Sequence, residues 1–239
     1  MCIRDSKKTS NIVLIISAII PFGLQLSGIK TVLGNGSIMY SIMWALVNYL
    51  FLMTAVEFIS KYKKILKLED LNIKKRTYNL NVFIYIGFLL FVNIYFFQQM
   101  YMRDNKIINI FANPLFLIGL LLLFLFNLQN GKFPSREDKD TIIYDIPLKS
   151  SFRDGRDKLG TLVGSYGKGL VLGNDYFPYE YMKSISKSKN DEIVIKGKEG
   201  FRNYIVNIGS KNSANQAIIE INKALNDGKI DEKKINLKK

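Results

Sequence analysis

Residues 115–126 read LFLIGLLLLFLF, twelve positions of which only Gly119 is not a large apolar residue. They lie in a window of 25 residues, between Lys106 and Lys132, that carries no formal charge. A helix rises about 1.5 Å per residue and a bilayer's hydrocarbon core is about 30 Å thick, so roughly 20 such residues cross it. Outward from this run, three more uncharged windows have the same size: 21 residues between Lys8 and Lys30, 26 between Lys30 and Glu57, and 26 between Arg76 and Arg103. After Lys132 the longest uncharged stretch is nine residues, 159–167. The chain is therefore expected to join a membrane half of four transmembrane helices, at about 11–29, 38–60, 80–101 and 107–128, to a soluble half. Averages over all 239 residues (48% hydrophobic, 23% charged, net charge +14) would hide this division and suggest an ordinary basic soluble protein.

The bases set an orientation, because cytoplasmic loops carry an excess of Lys and Arg. Lys7 and Lys8 precede the first span. The loop after the second span holds Lys61, Lys63, Lys64, Lys67, Lys74, Lys75 and Arg76 against Glu69 and Asp70, and Lys132, Arg136 and Lys139 follow the fourth. The two other loops offer Lys30, and Arg103 with Lys106. Both termini are expected in the cytoplasm of a bacterial cell membrane protein with two tight external hairpins, one of them turning at Asn35-Gly36-Ser37. The first span is too long for a signal-peptide core and no small-x-small cleavage site closes it. The opening MCIRDS (residues 1–6) reads as translated sequencing adapter, so the natural chain is expected to begin near Lys7.

Composition removes several chemistries. There is no histidine and one cysteine, Cys2, so histidine-based catalysis, ordinary zinc sites and intrachain disulfides are excluded. No ionisable residue falls in the middle of a span, where transport chemistry would place one. Gln25, Asn48, Asn93, Gln98, Gln99 and Asn113 are expected to hydrogen-bond between helices. Glu57 is expected to pair with Lys61 one turn on. Tyr40, Trp44, Tyr95 and Tyr101 have the look of interfacial anchors. Pro21 and Pro114 could break spans 1 and 4, as in some transporters, but are expected to be ordinary kinks.

Past a polar linker at 129–140, short β-like runs appear at 141–146, 159–163, 169–172, 175–179, 182–187, 192–196 and 201–208, separated by turn sequences such as Gly173-Asn174. Ser210 or Asn212 would cap a helix over 214–226, with Ile218, Ile221 and Leu225 as its apolar stripe and Gly228 as its stop. A charged tail at 229–239 is expected to fray. Strands followed by one amphipathic helix make an α+β domain over 141–228, with the helix on an antiparallel sheet or plugging a small barrel.

The segment GLVLGNDYFPYEYMKSISKS (169–188), then DEIVIKGKEGFRNYIVNI (191–208), then the helix through Leu225 resembles a bacterial pleckstrin-homology-like (PH-like) domain. It is similar to C-terminal domains that follow membrane hairpins in low-GC bacteria. Tyr179, Glu180, Tyr181 and Met182 stand where such domains often carry a tryptophan-led turn. The resemblance spans 60–80 residues and implies a fold more than an activity.

Other motifs are bland. Gly160, Gly164, Gly167 and Gly169 with Lys168 lack the order of a phosphate loop, which needs its lysine after the last glycine. Asp154, Asp157, Asp175 and Glu180 are expected to be solvated, as is the Asp138-Lys139-Asp140 triplet. Arg153, Arg156, Lys158 and Lys168 form a basic set that would meet anionic lipid headgroups or a protein partner. Nucleic-acid binding lacks an aromatic-interleaved basic platform. No catalytic residue, metal or cofactor is assigned. The favoured expectation is a non-enzymatic membrane protein with a PH-like interaction module. The alternatives are a small transporter or channel component, and a membrane enzyme using Glu57, Asp104 or the linker acids.

Overall fold

The computed structural model describes residues 3–102, 113–130, 136–146, 163–188 and 192–236. Among the described residues three helices are long and apolar enough to cross a membrane: α1 (Ile3–Leu26, apolar over Lys8–Leu26), α2 (Ser37–Ile65) and α3 (Lys75–Tyr101). A shorter apolar helix, α4 (Pro114–Asn130), has 17 residues, and residues 107–112 of the expected fourth span lie outside the described residues. Pro21 sits within a continuous α1, and Pro114 is the first residue of α4, where its missing N–H costs nothing. Pro21 therefore does not break α1.

The chain divides into two compact units, Met1–Ile59 with Val82–Phe124 and Ser60–Asn81 with Leu125–Lys239. In the helical unit, Trp44, Phe51, Phe96 and Met100 are fully buried and Leu117 and Phe124 of α4 join them. The outside is apolar too: Ile15, Met39, Phe83 and Leu122 are all more than half exposed. A surface of that kind suits hydrocarbon rather than water.

The second unit is mostly sheet. Among the described residues nine strands run β1 (Arg136–Glu137), β2 (Thr141–Ile146), β3 (Val163–Tyr166), β4 (Gly169–Leu172), β5 (Asp175–Pro178), β6 (Met182–Lys187), β7 (Ile193–Glu199), β8 (Arg202–Ile208) and β9 (Ile235–Asn236). The helix α5 (Lys211–Asn226) falls between β8 and β9. Six strands form one sheet in the order β1-β2-β8-β7-β6-β9, and β3-β4-β5 form a second. Among the described residues neither sheet closes into a barrel. The larger one is mixed rather than antiparallel, because β2 runs parallel to β8 and β9 parallel to β6. Each parallel pair joins strands separated by a long connection, as parallel pairing requires.

The core between the sheets and α5 is built from Leu170, Leu172, Ile185, Ile193, Ile195, Val206, Ile208 and Ile221, all with 0% exposure. The buried face of α5 is Ser213, Ala214, Ala217, Glu220, Ile221 and Ala224. Expectation had centred it on Ile218, Ile221 and Leu225. The alanines let the helix backbone lie close to the sheet, and Ile218 is left half-buried at the edge. The tail at 229–239 is not frayed where it is described: Ile230 is buried and Ile235–Asn236 adds a strand beside β6.

Candidate functional site

The most elaborate polar arrangement in the sheet unit is a clasp between the α2–α3 loop and the smaller sheet. β3 has a free edge, and an unpaired edge of a sheet is a liability unless something covers it. Asn72 covers it. Its N–H donates to the Ser165 carbonyl at 2.8 Å and the Ser165 N–H donates back to the Asn72 carbonyl at 3.0 Å, an antiparallel bridge. The Gly167 N–H reaches the Glu69 carbonyl at 2.9 Å. Asp70, between them, takes a left-handed φ of 51°, a conformation that Asp tolerates better than most residues. Gly164 is glycine for a spatial reason. A Cβ there would run into the Asn72 carbonyl oxygen and lie 2.7 Å from Cγ2 of Ile73.

Glu220 fixes the clasp from the α5 side. It is only 5% exposed. Oε2 accepts from the Ser165 hydroxyl at 2.6 Å, while Oε1 accepts from Gln216 Nε2 at 3.1 Å and Asn72 Nδ2 at 3.4 Å. One carboxylate thus ties the helix, the strand and the loop, and its acceptor capacity offsets the cost of burial. Further along, the Tyr78 hydroxyl donates to the Gly173 carbonyl in the β4–β5 turn. Lys61 Nζ lies 3.5 Å from Asp175 Oδ2. Tyr62 stacks on Tyr78 with centroids 4.7 Å apart and donates to Asn79 Oδ1 at 3.0 Å.

Beside Glu220 opens a cleft of about 150 Å³, lined by Asp70, Ser165, Tyr179, Lys223, Asp227 and Lys229 among others. Acids and bases alternate along it, and Lys229 pairs with Asp227 at 3.6 Å. Burial raises the Tyr179 phenol well above its ordinary value, with Glu220, Tyr166 and Asp227 adding to the shift. Tyr179 therefore faces the cleft as a neutral hydroxyl. Among the described residues no group of three Asp, Glu, His or Cys side chains has the arrangement to hold a metal ion.

No family model, curated protein or solved structure matches this chain.

Of the basic set read from the sequence, Arg153, Arg156 and Lys158 lie outside the described residues, as do Asp154 and Asp157. Lys168 is exposed at the tip of the β3–β4 hairpin, where its carbonyl accepts the Tyr179 N–H at 2.9 Å. Of the four, Lys168 alone falls among the described residues. Gly164 lies within β3 and Gly167 in the β3–β4 turn, and both let the loop come close. Glu220 was missed, though a signal was there: it falls on the same helical face as Ala217, Ile221 and Ala224, a polar group at a core position.

In the helical unit the amides are spent on structure. Asn93 Nδ2 donates to Asn48 Oδ1 at 3.0 Å and Asn48 Nδ2 donates back at 3.1 Å. The Trp44 indole N–H adds a bond to Asn93 Oδ1 at 2.9 Å. Gln25 Oε1 accepts from Ser41 Oγ at 2.8 Å across α1 and α2. Trp44 and Tyr95 do not project from the bundle as exposed anchors would. They are buried in an aromatic cluster around Phe96, with Trp44 stacked on it at 5.8 Å.

Proposed function

We propose that this is a four-crossing bacterial cell membrane protein whose sheet unit is a PH-like, non-enzymatic regulatory module, gripping the α2–α3 loop from the cytoplasm. The carrying observation is the Asn72–Ser165 bridge. It joins a loop between two spans to a domain that begins after α4, so loop and domain share one side of the membrane. A chain that leaves that side through α3 has to return before β1. The uncharged run at 107–131, of which α4 is the described part, is the apolar stretch available for the return. Seven bases against two acids at 61–76 favour the cytoplasmic side.

The polar atoms of the clasp support a coupling role rather than chemistry. Glu220, Ser165 and Asn72 hold one another, and the Tyr78 and Lys61 bonds tie the ends of both helices to the β4–β5 turn. A ligand that moves α5 or β3 would be felt at the ends of α2 and α3, which is the physical content of regulation here.

Nitroxide labels at Lys63 and Lys74 in nanodisc-reconstituted protein test this. The wild-type chain should give one narrow distance. Glu220→Leu leaves the Ser165 hydroxyl and Asn72 amide without their acceptor, at a cost of about 1–3 kcal/mol, and should broaden it. Glu220→Gln keeps an acceptor and should broaden it far less. A distance indifferent to Glu220→Leu would sink the coupling reading.

A further inference from the structure

β7 and β8 close through the tightest hairpin available. Glu199 pairs with Arg202, leaving Gly200 and Phe201 as the two-residue loop. Gly200 has φ +59° and Phe201 is not in the left-handed region, the pattern of a type II′ turn. In that turn the glycine sets the geometry and almost any residue can follow it. The residue that follows is a phenylalanine with 99% exposure, the most exposed large hydrophobic side chain among the described residues. Even Leu26 on the apolar outside of α1, at 86%, is better covered. Phe201 adds nothing to the core and is not required by the turn.

Its surroundings point to what covers it. Lys196, Lys198 and Arg202 are all exposed beside it, against one acid, Glu199, in the stretch KGKEGFR at 196–202. Tyr181, 39% exposed, precedes Met182, which pairs with Gly197 three residues before the turn.

We propose that the β7–β8 tip is a membrane anchor of the sheet unit: Phe201 enters the headgroup–acyl boundary of the bilayer that the chain itself spans, and Lys196, Lys198 and Arg202 meet anionic phosphates. An aromatic ring flanked by bases is the chemistry of that boundary. The proposal rests on the regulatory reading above and names the bilayer surface as the module's partner. It does not involve the clasp, so variants at Glu220 leave its test intact.

The test uses full-length protein in nanodiscs carrying anionic lipid. Phe201→Trp is read in a Trp44→Phe background, which leaves one indole. The expected result is emission shifted to the blue, largely lost with lipids brominated near the glycerol end, and poorly quenched by acrylamide. A second measurement covers the case in which Trp44→Phe fails to fold. A nitroxide at Phe201→Cys, in a Cys2→Ser background, should collide with oxygen more than with a water-soluble nickel complex. A label at Lys211→Cys supplies the aqueous reference. Water-like emission and nickel accessibility equal to that reference would overturn the proposal. So would a blue-shifted emission indifferent to brominated lipid, because protein rather than bilayer would then cover the ring.

Discussion

A carboxylate buried among alanines normally destabilises a helix–sheet interface, and Glu220 escapes that because three donors converge on it. The tyrosines of the same unit behave differently, since burial favours the protonated phenol. Tyr144, Tyr166, Tyr179 and Tyr204 all hold their protons above the ordinary phenol value of 10.0, burial being the largest cause at each. Tyr166 is pushed up to about 12, with Tyr176 and Glu180 adding to the effect. A phenol with a raised folded value binds its proton more tightly folded than unfolded. The stability this contributes is whole below pH 10 and disappears as the pH climbs through about 12. The sheet unit should therefore keep its stability up to pH 10 and lose it above, with tyrosinate absorbance rising together with loss of strand circular dichroism. Ionisation of these phenols near pH 10 with the strands intact would contradict their burial.

Between elements, the Asn48–Asn93 exchange joins α2 to α3 by reciprocal amide bonds. Asn93→Leu would strand the Trp44 indole N–H and the Asn48 amide, costing about 0.6–2 kcal/mol for each interhelical bond lost. Unfolding of the reconstituted protein under steric trapping should register that loss, and unchanged stability would remove the pair from the list of structural bonds. Such pairing was legible from the sequence, since amides in otherwise apolar windows have few other outlets. So were β2, β4 and β6, whose bounds match the runs read from the sequence, because punctuating residues delimit them. The two-residue strands β1 and β9 have no periodicity to read. The buried face of α5 was misjudged because side-chain size, not hydropathy, selects which stripe can approach a sheet. The clasp was invisible for another reason: Asn72 and Glu220 are 148 residues apart, and no local pattern links them.

At the scale of the whole molecule, α2 has 29 residues and is about 44 Å long, well beyond a hydrocarbon core of about 30 Å. Its surplus is what enters the sheet unit after Ile59, and α3 leaves that unit at Val82. The expected spans had ended at 60 and begun at 80. On the proposed topology of four crossings and cytoplasmic termini, a reporter fused after Asn35 should read as external, and fusions after Lys67 and Lys239 as internal. An internal reading at Asn35 would invert the orientation drawn from the loop bases. The parallel pairing of β2 with β8 also dictates timing. Thr141 and its neighbours leave the ribosome early, but their partners at 203–208 are made more than fifty residues later, after every apolar segment has been synthesised. Bilayer insertion must run ahead of folding of the sheet unit. A chain whose synthesis halts before β8 would therefore sit in the membrane with its first long strand unpaired, a ready substrate for quality-control proteases.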